Sequence, residues 1–390
     1  MATSTGSFLP GSLKAWEPSL RPANPEDARE ITNIYEDVYK GTYSYKEYQD
    51  KDYISNDISQ GNSSWYVIED QMASNEIVGV ISGAIDDINW RVYVRGMMIR
   101  PDWQGLGGTT RLFGEVFKDF MKRYKGKVNI LWSETRTASL KPQMVGERVG
   151  FVPLGILPHK DVFFNERESP VITGIFSSEA WKERETTMNI IPGIVPIHDI
   201  IAKMLRPMRK DHLIESQVHP ITFSIKSKVG VQISPLNHGY RRYTFSLSSS
   251  DDSIQLDANL QCMNAEHLVC MCKDPGKLLL LLRSALKRLS WEGFQYVEGS
   301  SGTENPMVQQ AFMQAGFTPT GYLPAWDLTR DGRRVDRIVW GWTSHDRVKL
   351  QSCFTRKSKR LFEILREAWE KTRQCHPANP IPVPNAIAQL

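Results

Sequence analysis

A stretch of twelve residues occurs twice in this chain. Gly150-Phe-Val-Pro-Leu-Gly-Ile-Leu-Pro-His-Lys-Asp161 returns 166 residues later as Gly316-Phe-Thr-Pro-Thr-Gly-Tyr-Leu-Pro-Ala-Trp-Asp327, with seven of the twelve positions identical. The shared residues include Gly and Pro, which mark positions of special backbone geometry, so the match reports a common backbone path rather than a common composition. A chain of 390 residues has room for roughly two or three domains. The repeat predicts that two of them are copies of one plan.

The same offset extends backwards. Leu112, Val116, Phe117, Phe120, Met121 and Tyr124 fall opposite Leu278, Leu282, Arg283, Leu286, Lys287 and Ser290, and both segments carry apolar residues at helical spacing. A second helix around 139–149 falls opposite 305–315, and both run directly into Gly-Phe. In the first copy, 28–57 reads as helical. Strands follow at 64–69, 77–84 and 90–99, then a Gly-rich turn, a helix from about Thr110, and strands at 128–133, 152–157 and 171–175. The second copy has strand patterns at 221–225, 243–247, 254–260 and 267–271, a helix from Lys277, and strands around 295–297 and 338–342.

This gives an α/β (α+β) architecture of two tandem domains, each a mixed, mostly antiparallel sheet flanked by helices. The first spans 16–180 and the second 217–345. The connector, 181–216, is interrupted by Pro192, Pro196 and Pro207 and carries a short helix around 200–205. Residues 1–15 read as disordered, and 346–390 as a helix over 358–373 with a Pro-rich tail.

Composition excludes several classes. At 41% hydrophobic, 24% charged and a net charge of +4, the chain is neither disordered nor fibrous. Its longest apolar run apart from Gly and Pro, Leu278 to Leu282, is far shorter than the roughly twenty residues of a membrane span. A cytoplasmic protein is expected. Five cysteines suit reduced thiols, and Cys262, Cys270, Cys272 and His267 lack the paired spacing of a zinc site, so no metal is expected. Two basic clusters, Lys203, Arg206, Arg209 and Lys210, and Arg356, Lys357, Lys359 and Arg360, read either as solvated helix faces or as contacts for phosphate or an acidic partner. No nucleic-acid-binding pattern accompanies them.

The stretch that carries chemistry is 97–110, Met-Met-Ile-Arg-Pro-Asp-Trp-Gln-Gly-Leu-Gly-Gly-Thr-Thr, which leads from an apolar strand through three glycines into a helix. Amides at a helix start have no partner within the helix, and glycines let a ligand approach them. Gln104, Gly105, Leu106, Gly107, Gly108, Thr109 and Thr110 are therefore a candidate pyrophosphate receptor. The turn lacks the Gly-Lys-Ser/Thr of a Walker loop and is not Gly-x-Gly-x-x-Gly.

Here the sequence resembles the GNAT superfamily of acyl-CoA-dependent N-acyltransferases. The resemblance rests on Ile99-Arg-Pro101, on Gln104-Gly-Leu-Gly107 and on the helix that ends in Gly150-Phe151, with Thr109 standing where the family has Gly or Ala. It implies a splayed sheet in which the strand 93–99 parts from 128–133, with the pantetheine arm of acetyl-CoA or another acyl-CoA in the gap beside Met97, Met98 and Ile99. It further implies direct attack of a small-molecule or peptide amine on the thioester, with a base for the amine proton and main-chain N–H on the carbonyl. The family's usual acid, a tyrosine four residues before the Gly of Gly-Phe, is Gly146 here and Phe312 in the second copy. Glu134 is the first candidate base, followed by Asp86 and Tyr93.

The second copy, aligned by the offset, sets Cys270 opposite Gln104 and Lys273 opposite Gly107. Its helix reads as capped by Asp274 and Pro275; by the same resemblance it looks like a degenerate copy that completes the acceptor pocket, with Tyr322, Trp326, Trp340 and Trp342 read either as walls of that pocket or as core. Two alternatives stay open: an acyl carrier protein as donor, drawn by the basic clusters, and a non-catalytic acyl-CoA sensor or scaffold.

Overall fold

The computed structural model describes residues 16–124, 128–207, 210–222, 227–345 and 353–375. Alternating apolar residues build the strands and amphipathic stripes build the helices. In the first half β1 (Pro18–Pro22) precedes α1 (Ala28–Tyr39) and α2 (Lys51–Gln60). Strands β2 (Ser63–Asp70), β3 (Glu76–Asp86) and β4 (Arg91–Ile99) then lead into α3 (Thr109–Arg123), β5 (Ile130–Thr135), α4 (Lys141–Arg148) and β6 (Val152–Ile156). A small hairpin, β7 (Asp161–Phe163) and β8 (Glu166–Glu168), precedes β9 (Val171–Phe176). The connector holds α5 (Ser178–Glu183), β10 (Thr187–Ile190), α6 (Val195–Leu205) and β11 (His212–Glu215). The second half runs β12 (Val229–Pro235), β13 (Tyr240–Leu247), β14 (Ser253–Asn259), β15 (Asn264–Met271), α7 (Pro275–Trp291), β16 (Tyr296–Gly302), α8 (Pro306–Ala315), β17 (Thr318–Leu328) and β18 (Arg334–Thr343), followed by α9 (Arg356–Cys375).

The repeat is visible in the order of elements: β4-α3-β5-α4-β6-β9 in one half, β15-α7-β16-α8-β17-β18 in the other. The two halves share a single sheet of 14 strands in the order β1-β2-β3-β4-β5-β9-β6-β17-β18-β16-β15-β14-β13-β12, so the second half is laid out as the reverse of the first. Within this sheet β4 with β5 and β15 with β16 are parallel, and the other neighbours are antiparallel. One face of the first half is covered by α3, which buries Leu112, Phe113, Val116 and Phe120. In the second half α7 buries Leu278, Leu279, Leu281 and Leu282.

The halves join where Gly155 of β6 pairs with Gly321 of β17. These residues are counterparts in the repeat, so each copy meets the other through the same residue. A Cβ on Gly155 would stand 2.9 Å from Gly321 Cα, and one on Gly321 would stand 3.0 Å from Gly155 Cα. Backbone, unlike a flexible side chain, cannot swing aside. Gly155→Ala and Gly321→Ala should each destabilise by about 1–3 kcal/mol through overpacking, seen as matching falls in melting temperature; a fall for only one of them would contradict the symmetric junction.

Some readings from sequence need correction. Ile221 and Thr222 have no regular structure and 223–225 lie outside the described residues; the edge strand is β12 instead, whose largely exposed residues give no clear alternation. The connector helix begins at Val195 rather than near 200, because Pro196 sits in its first turn, where a missing N–H costs nothing. Residues 1–15, Arg209 and the tail from His376 also lie outside the described residues. Among the described residues no helix is long and apolar enough to cross a membrane.

Candidate functional site

Strand β4 pairs with β5 over only three residues, Arg91 with Ile130, Val92 with Leu131 and Tyr93 with Trp132. Beyond Tyr93 the two strands part, while β4 stays bonded to β3 as far as Ile99. The edge of β4 that faces the gap from Val94 to Ile99 therefore offers backbone groups to a ligand. The register of β4 on β3 slips beside Gly96, which has φ +62°, and a Cβ there would lie 2.4 Å from Tyr35 Oη. Met98 and Ile99 are buried on opposite sides of the strand and Met97 is half-buried, so what these residues present to the gap is main chain.

The turn after β4 is anchored and then left open. Trp103 is buried, and its indole donates to Asp70 Oδ2 at 2.9 Å. Asp70 also accepts from the amides of Glu17 and Met72. Gln104 Nε2 closes onto the carbonyl of Ile99 at 2.8 Å, so this side chain shapes the turn. Gly105, Gly107 and Gly108 have φ of +85°, +91° and +77°, a region that favours glycine. A Cβ on Gly105 or Gly107 would meet nothing within 4 Å. Leu106 packs back on the core beside Thr109 and Thr110, which are half-buried. Helix α3 has Gly108 as its N-cap, with no side-chain cap and no acidic residue in its first turn. The first amide of this region to be satisfied is Leu112, onto Gly108 O at 3.1 Å. Amides from Gly105 to Arg111 find no acceptor among the described residues, at the positive end of a helix dipole.

The second copy shows what the turn looks like without that opening. Its parallel register, Asn264 with Tyr296, corresponds to Arg91 with Ile130. Only Cys272, Lys273 and Asp274 separate β15 from α7, where the first copy has nine residues between β4 and α3. The alignment of Gln104 with Cys270 and of Gly107 with Lys273 is therefore corrected: Cys270 belongs to the strand itself, and the turn is deleted rather than substituted. As expected, Asp274 caps α7, accepting from the amide of Lys277 at 2.8 Å, with Pro275 in the first turn.

Glu134 lies on β5 two residues past the parting of the strands, and its side chain is 11% exposed. Its carboxylate meets Lys160 Nζ at 2.9 Å, and Lys160 also meets Glu266 at 2.8 Å and Glu298 at 3.4 Å. Burial pushes the Glu134 carboxyl up to about 8; Lys160 pulls it down, and Glu298, Asp161 and Glu266 push it further up. Burial alone would lower Lys160, but the surrounding carboxylates carry it well above the usual lysine range. Tyr93 stacks on Trp132 with centroids 4.2 Å apart, and burial, then the charge of Glu134, raises its phenol so far that it keeps its proton. Asp86 is bound by Arg91 at 2.5 Å and by Asn89. Burial raises its carboxyl, and these partners more than offset that, holding it below the usual range.

Of the four aromatic residues read as pocket walls or core, Trp326 packs on Trp132 of the first copy, with Arg91 over its ring at 4.4 Å. Tyr322 bonds Asp336 and packs against His198 of the connector, Trp340 bonds Ser301 and is buried, and Trp342 packs on the core that the two copies share. Sequence reasoning missed Lys160, Glu266 and Glu298. It also missed a group of buried polar atoms beside the β4 bulge, Tyr35 Oη, Glu47 Oε2, Gln49 Nε2 and Arg95 Nε, which have no partner among the described residues. The second copy reaches this group as well, through Tyr240, whose hydroxyl donates to the other oxygen of Glu47 at 3.5 Å. One signal was available: Lys160 is the charged residue that replaces Trp326 inside an otherwise similar stretch of twelve. Among the described residues no group of three or more His, Cys, Asp or Glu is placed to hold a metal.

Residues 28–160 match the family described as the acetyltransferase (GNAT) family. No curated protein matches the chain. Solved structures that resemble it include the spermidine N-acetyltransferase from Vibrio cholerae in complex with CoA and spermine, at 20% identity and TM-score 0.36 over 41% of this chain and 96% of that one. The dodecameric structure of the same enzyme in an intermediate state gives 20% identity and TM-score 0.36 over 42% of this chain and 95% of that one. A likeness this faint carries no inference about substrate.

Proposed function

We propose, from the match of residues 28–160 to the GNAT acetyltransferase family, that the protein transfers an acyl group, acetyl in the simplest case, from acyl-CoA to an amine. The observation that carries this reading is the run of amides from Gly105 to Arg111, open at an uncapped helix start and set beside the parting of β4 and β5. The turn fits a diphosphate because its charge is supplied by backbone dipoles and the glycines leave the approach clear. When bound, the coenzyme supplies an activated thioester along the open edge of β4.

Glu134 accepts the proton of the incoming amine as its nitrogen bonds to the thioester carbonyl carbon and the carbon–sulfur bond breaks. Free main-chain N–H groups on β4 polarise the carbonyl, and the thiolate leaves to take its proton from water. Tyr93, which keeps its proton, and Asp86, held by Arg91, are not bases in this reading. The amine arrives from the side of α1 and α2, where Tyr35, Glu47, Gln49 and Arg95 offer unused polar atoms. Arg356, Lys357, Lys359 and Arg360 stand exposed at the start of α9, which lies across β6 and β17 rather than along the turn, so an acyl-CoA donor is the reading kept.

Acetyl-CoA in large excess should raise the melting temperature, by linkage worth about 2.7 kcal/mol at a hundred times its dissociation constant. Free thiol should then appear with a panel of primary amines. No melting shift with acetyl-CoA or longer acyl-CoAs would reject the donor site; a shift without thiol release would leave a binding protein.

A further inference from the structure

Lys160 lies in a bend that both copies share. The residues before it and before its counterpart Trp326, His159 and Ala325, both have left-handed backbone, with φ of +59° and +52°. From the same bend each copy sends a side chain into the other. Trp326 packs on Trp132 of β5, and Lys160 reaches Glu266 of β15 and Glu298 of β16. The parallel registers explain the choice of side chain. Glu266 occupies in β15 the place of Tyr93 in β4, and Glu298 occupies in β16 the place of Trp132 in β5. An aromatic stack in one copy is a carboxylate pair in the other, and two neighbouring carboxylates stay ionised together only with a cation between them.

That cation is shared. The Lys160 side chain is 3% exposed, and the contact that it makes with Glu134 at 2.9 Å is nearly as short as its contact with Glu266 at 2.8 Å. We propose that Lys160 is a positioning residue for Glu134, and that Glu266 and Glu298 hold its ammonium in place, so that the copy without a donor turn completes the proton-accepting site of the copy that has one. This rests on the reading of Glu134 as the base. Lys160 fixes the orientation of the carboxylate and favours its ionised form, while the second copy's carboxylates keep Lys160 charged and limit how strongly it acts. The groups facing Glu134 are Lys160 and Asp161 after β6, Glu266 on β15, Glu298 on β16, and the phenols of Tyr93 on β4, Tyr296 on β16 and Tyr45 before α2. Asp161 is itself bonded by Tyr45 at 2.7 Å.

The test is a carboxyl-carbon NMR titration of full-length protein labelled in its glutamates, with the Glu134 signal assigned by its disappearance in Glu134→Gln. Lys160→Met should move its midpoint up by about one pH unit or more, Glu298→Gln should move it down, and Lys160→Arg should restore it. If Lys160→Met fails to fold, Glu298→Gln decides alone. A Glu298→Gln midpoint that stays put or rises overturns the proposal. The expected opposed shifts in a protein whose Glu134→Gln variant still releases thiol at the wild-type rate would uphold the coupling and remove Glu134 as base, which separates the two failures.

Discussion

Gly107→Glu abolishes the stabilisation by acetyl-CoA, while Gly276→Glu leaves it intact. Gly107 stands in open space with φ +91°, so the Cβ of a glutamate there meets nothing within 4 Å and the substitution causes no steric clash at the backbone. The left-handed backbone adds roughly 1 kcal/mol of strain, which lowers the melting temperature without unfolding the domain. The damage is to binding. A carboxylate placed among free amides satisfies them itself and repels a diphosphate, so an affinity loss above about a hundredfold, on the order of 3 kcal/mol, is expected. Gly276 lies in the first turn of α7, already capped by Asp274. An acidic side chain there suits the helix dipole and faces no ligand site. Paired thermal-shift titrations with acetyl-CoA read both variants. Equal losses would mean that the coenzyme does not sit on the first copy's turn.

How much of this could be read before the fold was known depends on the range over which each signal acts. The Gly-rich turn is local: three glycines, a strand before and a helix after are all within one short stretch, and the structure has each in place. The twelve-residue repeat carried the two-copy plan, because Gly155 and Gly321 keep their backbone roles whatever surrounds them. Asp274 was legible as a cap for the same reason. What could not be read was which residues the two copies exchange. Lys160 and Glu266 are over a hundred residues apart, and Glu134 reaches them only because β6 and β17 join the two halves into one sheet. Nor did the offset reveal the deletion before α7, since helix and strand on either side keep separate registers and only the sheet pairing shows where β15 ends. Tyr322 and Trp340 are buried, and sequence alone left pocket and core both open for them, because an aromatic residue in a strand has the same pattern whether it faces one or the other.

Replacing the base separates activity from stability. Glu134→Gln keeps the shape of the side chain and removes its ability to take a proton, so amine-dependent thiol release should fall by about 10²–10⁴-fold, with acetyl-CoA stabilisation retained. A base must be ionised to act, and burial sets this one at about 8. The wild-type rate should therefore rise with pH and level off above about 8, and the residual rate of the variant should lack that limb. The stability profile has the opposite sign. A carboxyl whose folded value is raised contributes stability that is fully present below its unfolded value near 4, and that is lost as pH rises through the folded value of about 8. The amide that Glu134→Gln introduces stays neutral throughout and escapes this loss, while Lys160 still has Glu266 and Glu298. The variant should thus gain in melting temperature relative to wild type as pH rises from 5 to 9, while its rate falls furthest behind wild type at the high-pH end. A variant that loses stability in step with activity at high pH would show that Glu134 holds the junction together rather than taking the proton.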